Sequence, residues 1–588
     1  MNEQSEKLQH LRHSAAHLYA AAIMQLWPNT KITIGPAIDE GFYYDADFGD
    51  IKISEDDFVR IDQKMREIVK GWTGFERIEI TEQEAREKYK DNPYKRELID
   101  EIVKKGEQIT FYKSGEFVDL CRGGHDTNPK EDLKYFKLLK IAGAYWRGNE
   151  KNKMLTRVYG TAFFTKEELE NYMTMLAEAE KRDHKKIGRE LDLFIFTDSA
   201  PGMPYWLPKG LIVYNQLLDF SKDIHKKYGY QEVMTPILNK KELFETSGHW
   251  FHYRDDMFIS PMSYLRGNSK DAYEGTEVFG IKPMNCPNAM TIFAARTRSY
   301  RDLPMRLSET TALHRFELSG TLNGLFRARE FHQDDSHTFA AIKQVENEFK
   351  KIMEMIEIFY STFHLSYKLR FGTRPENFMG EASDWDIAEK SLEDVLKQSG
   401  KEYFKVEGEG AFYGPKVDIL MRDSLSREWQ TGTIQLDFQQ PKNFKLKYIS
   451  EEGKETQPVV LHKAIFGSME RFLGILIENC TGKLPTWLAP VQVALLPIAD
   501  RHNEFGQKAK EMLSKEGIRV ELDGTAERLQ AKIRNHTLQK VPFMGIIGDK
   551  EVADGKLAIR SRDGEDRGQM SVEQFLVFLK DQVDKKVS

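Results

Sequence analysis

The sequence predicts an α+β multidomain protein, and three observations carry that expectation. The chain has 588 residues, 40% hydrophobic and 30% charged, enough for about two to four domains with cores of their own at roughly 150 residues each. It opens on a helical pattern followed by short β-rich pieces, and it closes on strands that alternate with helical segments. Between them runs a succession of apolar strands broken by Gly and Pro turns, without repeats or low-complexity segments.

The first element is an amphipathic helix from Leu8 to Leu26, ended by Trp27-Pro28 and carrying His10, His13 and His17. Strand candidates follow at KITIGPAI and GFYYDADF, then a charged helix from Glu55 to Lys70 and a strand from Phe75 to Ile80. The charged stretch from Thr165 to Arg189 reads as one solvated helix linking two domains. The central region, with its strongest helix at Ile342 to Phe363, reads as one large mixed domain built on a sheet. Pro485 and Pro490 frame a short linker, after which VQVALLPI, GIRVEL, FMGIIG and KLAIR alternate with helices in a compact α/β domain. The expected limits are 1–183, 184–488 and 489–588.

Charge and cysteine content exclude several classes. Lys plus Arg number 86 against 92 Asp plus Glu, a formal charge of -6, so any nucleic-acid contact must come from local basic patches. Three scattered cysteines, Cys121, Cys286 and Cys480, make no disulfide framework and point to a reducing compartment. There is no apolar run of signal-peptide or membrane-spanning length. The expectation is a cytoplasmic protein without a membrane partner.

Three constellations could carry chemistry. His13 and His17 share one helix face, and Cys121-Arg-Gly-Gly-His125 turns tightly enough to bring a thiol and an imidazole together; the set suits zinc or a metal-free centre that activates water. The run from His314 to Phe339 packs Arg315, Glu317, Arg327, Arg329, Asp334, Asp335 and His337 around the turn Ser319–Gly324. It reads as a hairpin whose arginines could clamp phosphates, or as a hairpin merely studded with charge. Arg471 opens the apolar helix of GSMERFLGILIE, where it needs an anionic partner, a ligand or a carboxylate of the chain.

In combination these motifs resemble the class II aminoacyl-tRNA synthetases. YGYQEVMTPIL with Pro236 is similar to the class's motif 1, HRFE at Arg315 to Glu317 to motif 2, and GSMER ending at Arg471 to motif 3. HSAAH, VDLCRGGH, AGAYWRG, SGHW, IKPMNCP, GTRPE, EGAFYGPKVD, TGTIQLDF and PTWLAPVQV extend the resemblance to the threonyl-tRNA synthetase family across nearly the whole chain.

That resemblance implies an N-terminal α+β editing domain, an antiparallel-sheet catalytic domain and a C-terminal α/β anticodon-binding domain. It implies a ligase that joins L-threonine to tRNA(Thr) through ATP, Mg²⁺ and a threonyl-adenylate, and that works as a homodimer. Arg315 would hold the α-phosphate, Glu317 the adenine amino group, and Arg327 and Arg471 the outer phosphates and adenine, because nucleotidyl transfer is mostly positioning and charge neutralisation. Gln430 falls near the nucleotide, Tyr413 and Gln435 near the amino acid, Asp335 at threonine recognition, and His249 at transfer to the tRNA hydroxyl. Cys286, His337 and His462 match the family's zinc ligands, one Zn²⁺ per subunit.

His13, His17, Lys95, Asp119, Cys121 and His125 match the site that hydrolyses Ser-tRNA(Thr), which the resemblance implies is metal-free. Arg528, Glu551 and Arg560 match anticodon contacts, with Lys532, Arg534 and Lys540 completing a basic patch. The alternative is a synthetase-derived RNA-binding or regulatory protein without ligase activity; such proteins lose a motif arginine, and all three stand here.

The chain departs from the family pattern in places. It starts almost at HSAAH, without the ubiquitin-like domain of roughly 60 residues, the size of a separate module, that usually comes first. Gly124 stands where the pattern has proline, CPNA at Cys286 to Ala289 replaces CPGH, Ala526 replaces an asparagine, and the stretch from Phe258 to Gly280 is longer.

Overall fold

A computed structural model describes residues 3–149, 151–262, 277–423 and 427–586; much of the longer stretch before Gly280 therefore lies outside the described residues. The chain divides into two compact units, Met1–Glu178 and Ala179–Ser588.

In the first unit the opening helix runs Glu3–Leu26 and buries Leu11, Ala15, Leu18, Tyr19 and Ile23. With the other residues from Leu11 to Ile23, nearly all of them buried, these positions enclose the helix on most sides, so over that stretch it is not the amphipathic helix expected. They pack on Phe42, Tyr44, Ala46, Val158 and Ala162, residues of an antiparallel sheet built on the strands Gly41–Asp47, Met154–Phe163 and Tyr135–Tyr145. A second sheet joins Glu76–Glu79, Thr110–Ser114 and Phe117–Leu120. The helix expected from Glu55 to Lys70 is α-helical only over Phe58–Ile68, with a 3₁₀ turn at each end.

The linking helix is a correction. It runs Lys166–Arg182 and stops, and a second helix, His184–Glu190, starts behind Asp183. The Asp183 carboxylate accepts the Lys185 amide, so this residue caps a new helix rather than continuing the old one.

The second unit is organised by an eight-stranded sheet in the order Gln231–Glu232, Met305–Glu309, Asp335–Ala340, Val459–Ala464, Glu428–Asp437, Lys416–Arg422, Tyr367–Gly372, Tyr403–Val406. The six inner strands are antiparallel and the two outermost pair in parallel. Alternation along the strands gives the sheet two faces. Val417, Ile419, Ile434, Leu436 and Leu461 enter the main core with the helices Pro208–Lys227, Val345–Thr362 and Met469–Asn479. The other face carries Leu307, Phe339 and Val460 under the helix Cys286–Ala294 at one end and the candidate site at the other.

Two expectations are revised here. The hairpin's paired strands are only Ala312–His314 and Glu330–His332, so Arg315 and Arg327 leave the strands and lie in the connecting loop. The segment framed by Pro485 and Pro490 is no free linker: Trp487 and Leu488 are buried in the main core, because an exposed Trp-Leu pair would leave a large apolar area in water.

The last sheet joins Val520–Leu522, Val493–Pro497 and Phe543–Ile547 in parallel, then Lys556–Ser561 and Asp566–Ser571 antiparallel. Its core of Val493, Leu495, Leu513, Ile547, Ile559 and Phe575 forms a hydrophobic cluster of its own.

Candidate functional site

Strand register builds the centre of the second unit's site. Leu307, His337, His462, Gln435 and Lys416 stand opposite one another on five neighbouring strands, so their side chains form a single row on one face. Cys286, at the start of its helix, reaches the same place, and the donor atoms of Cys286, His337 and His462 lie within 4.8 Å of one another.

All three are buried, and His337 Nε2 has no hydrogen-bond partner, which is costly unless something else occupies that lone pair. His462 Nε2 lies 3.0 Å from Asp437 Oδ2, the carboxylate–histidine arrangement that orients metal ligands. A soft thiolate, two imidazoles and an orphaned nitrogen fit zinc.

Around this trio lies a cavity of about 400 Å³ lined by Tyr253, Arg315, Glu317, Arg327, Asp335, Tyr413, Gln430, Gln435 and Arg471. The Arg315 guanidinium is held between the rings of Tyr253 and Phe331, at 5.6 and 4.9 Å, while its Nε donates to Pro283 O. Arg327 pairs with Glu317 at 2.8 Å. Arg471 donates to the carbonyls of Phe326 and Gln430, each at 3.0 Å, and among the described residues no carboxylate pairs with it. The internal carboxylate partner weighed for it is therefore absent. Burial, with Arg315 and Arg327 nearby, lowers its pKa, and Glu317 opposes the shift only in part.

Gly467 makes the Arg471 placement possible. Its φ is +77° and a Cβ there would meet Thr431 O at 1.9 Å, so only glycine allows this turn; Ser468 then caps the helix by accepting the Arg471 amide.

Burial pushes Asp335 up to about 6, with His462 and Asn285 pulling it back. Tyr413 donates to Gln435 at 2.5 Å, and Gln430 donates to Asp418. His249 is fully buried, with Ser247 Oγ 2.8 Å from its Nδ1 and Cys286 Sγ 3.7 Å from its Nε2. Desolvation, aided by His462, drops it to about 3.

In the first unit, His13, His17, Cys121 and His125 converge, with donor atoms within 4.8 Å of one another. His13 Nδ1 donates to Gly124 O at 3.0 Å, which turns the Nε2 lone pair toward His17 Nε2 at 3.3 Å and Cys121 Sγ at 3.6 Å. Burial lowers the pKa of all three imidazoles and raises the Cys121 thiol to about 11, so the cluster is neutral near pH 7.

Lys95 and Asp119 form a buried pair at 2.6 Å, and Asp119 lies 3.7 Å from His17 Nδ1. Sequence reasoning missed Tyr44 and Tyr89, whose hydroxyls donate to Asp119, and Phe75, which stacks on His125 at 3.9 Å. Inward alternation along the strand holding Tyr44 was the available signal; for Tyr89 there was none.

The departure at Gly124 has a structural counterpart: Gly123 and Gly124 have φ of +101° and +77°, and proline, fixed near −65°, could not occupy 124 in this turn.

In the last domain, Arg528 immediately precedes the helix Leu529–Leu538, Arg534 lies on it, Arg560 lies on the strand Lys556–Ser561, and all three are exposed. Lys532 is a correction to the basic patch: it is buried and donates to the carbonyls of Pro497 and Asp523, because its helix turns that face onto the sheet. Glu551 accepts from Gly548 N and Gln569 Nε2.

Residues 109–159 match the threonyl and alanyl tRNA synthetase second additional domain, 270–480 the tRNA synthetase class II core domain (G, H, P, S and T), and 492–582 an anticodon binding domain. The chain is 47% identical to the threonine–tRNA ligase of Thermotoga neapolitana, over 100% of this chain and 90% of that one. It is 45% identical to that of Clostridium tetani, over 98% and 88%. The crystal structure of the RNA binding domain of threonyl-tRNA synthetase from Cryptosporidium parvum superposes with a TM-score of 0.64 at 36% identity, over 68% of this chain and 98% of that one. With its class II core, its second additional domain and its full-length likeness to these ligases, the chain belongs to the threonyl-tRNA synthetase family.

Proposed function

We propose that this chain is a threonine–tRNA ligase that activates L-threonine with ATP, passes it to the 3′ end of tRNA(Thr) and hydrolyses Ser-tRNA(Thr) in its first unit. The observation that carries the reading is the meeting of Arg315, Arg327 and Arg471 with Cys286, His337 and His462 in one cavity. It also favours a ligase over an RNA-binding derivative, since Arg471, without a carboxylate partner among the described residues, gathers with Arg315 and Arg327 in a cavity where a bound anion would be favoured.

Arg315 holds the α-phosphate and Arg471 and Arg327 the rest of the nucleotide, with Mg²⁺ accompanying ATP; release of Arg327 frees Glu317 to accept from the adenine amino group. Gln430 lies along the nucleotide. A zinc ion on Cys286, His337 and His462 would offer open coordination positions to the amino and hydroxyl groups of threonine. Asp335, Tyr413 and Gln435 orient the amino acid, and His249, buried and held by Ser247 beside Cys286, would support transfer to the tRNA hydroxyl from behind that ligand.

Serine differs by one methyl, worth only about 1–3 kcal/mol of discrimination, so a second hydrolytic site is required. His13, His17, Cys121 and His125, neutral and converging, can orient and deprotonate a water, and the Lys95–Asp119 pair lies beside His17, whose Nδ1 is 3.7 Å from Asp119. Arg528, Glu551 and Arg560 lie on the domain at 489–588 that would meet the anticodon, and 1–183 and 184–488 delimit the editing and catalytic domains.

The outer strand Gln231–Glu232 leaves one edge open, and Met234, Ile237 and Leu238 are exposed beside it. That edge suits a second copy of the chain, hence a homodimer. No described helix is long and apolar enough to cross a membrane, and three unpaired cysteines suit the cytoplasm.

The test is amino-acid-dependent ATP–pyrophosphate exchange with zinc measured on the same sample. Strong exchange with threonine, weaker with serine and none with valine, at about one zinc per chain, is expected. No exchange in folded, metal-loaded protein would overturn the reading.

A further inference from the structure

We infer that the buried pair Lys282–Glu309, with Thr235, Thr311 and Asn285 around it, is a positioning device that sets Cys286 and Arg315 relative to each other. The inference rests on the reading of Cys286 as a metal ligand and Arg315 as a nucleotide contact.

Lys282 and Glu309 are 0% and 3% exposed and 2.9 Å apart. Burying such a pair gains little stability over an apolar pair, so its presence asks for another reason. Every donor is used directionally: Lys282 Nζ donates to Glu309 Oε1, to Thr235 Oγ1 at 3.0 Å and to Thr311 Oγ1 at 2.7 Å. Glu309 also accepts the Thr235 amide at 2.8 Å. Three protons on three fixed acceptors lock the ammonium in one orientation.

What the lock holds is the segment 282–286. The Lys282 amide donates to Ile237 O at 2.9 Å, and Lys282 O accepts the His314 amide at 3.2 Å, next to Arg315. Pro283 O accepts from Arg315 Nε at 3.4 Å. The Thr311 hydroxyl lies 2.8 Å from Glu309 Oε1 and 3.3 Å from Asn285 Oδ1, and Asn285 immediately precedes Cys286. One segment thus carries the thiol at its end and supports the guanidinium in its middle, with the buried charge pair fixing both from behind. None of the five polar residues lines the cavity, so they act through Cys286 and Arg315 and, from Asn285, through Asp335.

The experiment compares Thr311→Val with Thr311→Ser in the full chain, reading zinc release to a chromophoric chelator, threonine-dependent pyrophosphate exchange and the melting temperature. Thr311→Val is expected to release zinc and to lose exchange rate each on the order of tenfold, while still melting cooperatively, and Thr311→Ser is expected to restore both. Should Thr311→Val not fold, the isosteric double change Lys282→Met with Glu309→Gln replaces it, with the same losses expected. Zinc release and exchange at wild-type levels in a folded Thr311→Val or double variant would overturn the positioning role alone. A wild-type protein that exchanges pyrophosphate but never holds zinc would overturn it together with the metal reading.

Discussion

Gly124 shows how a single backbone angle constrains the editing cluster. At φ +77° its carbonyl accepts from His13, and that bond decides which nitrogen of His13 faces Cys121. Gly124→Pro would force the turn open, costing more than about 1 kcal/mol locally. Because the family pattern carries proline at this position, the loop is expected to rearrange around it, slowing rather than abolishing hydrolysis of Ser-tRNA(Thr) and leaving threonine activation within a factor of about two. A Gly124→Pro enzyme with undiminished deacylation would refute this. For Cys121→Ala the expectation is similar: loss of on the order of 100-fold or more in deacylation if the thiol helps orient the water. Unchanged hydrolysis in a steady-state deacylation assay would remove Cys121 from the site.

The opening helix and the loop that carries His125 together give the first unit a pH dependence. Burial holds His13, His17 and His125 neutral, with pKa values below that of a free imidazole. Unfolded histidines take up a proton near pH 6.5, so below that pH the unfolded state binds more protons and stability rises with pH. The contribution is therefore present above about pH 6.5 and is lost as the pH falls, at up to about 1.4 kcal/mol per pH unit for each group. Urea midpoints for the transition of the first unit should drop between pH 7.5 and pH 5.5, and less so in His125→Asn. Equal slopes in the two proteins would contradict the assignment.

The two chemistries are expected to be separable by mutation, because the hydrolytic cluster and the cavity with three arginines belong to different compact units. The catalytic one is expected to need a second copy of the chain. Met234 is 86% exposed beside an open sheet edge, an arrangement that soluble monomers avoid. Met234→Asp should shift the mass measured by light scattering toward the monomer and reduce aminoacylation; a monomeric variant with full activity would show that the edge serves another purpose.

Periodicity made the opening helix, the strands of the last sheet and the apolar helix after Ser468 legible in the sequence, since each is set by residues three, four or two positions apart. The His13/His17 pair was legible for the same reason, and the Cys121/His125 pair through the Gly-Gly turn between its members. Cys286, His337 and His462 were grouped through family resemblance, because no local spacing relates them; register across two paired strands and one helix start brings them together. The tyrosines on Asp119, the inward turn of Lys532 and the Lys282–Glu309 lock were not legible, since each depends on which face another element covers. Local pattern determines which elements form and which way their apolar faces turn. Which polar groups then meet is decided by packing between distant segments, where a buried charge or donor is tolerated only if its partner arrives from elsewhere in the chain.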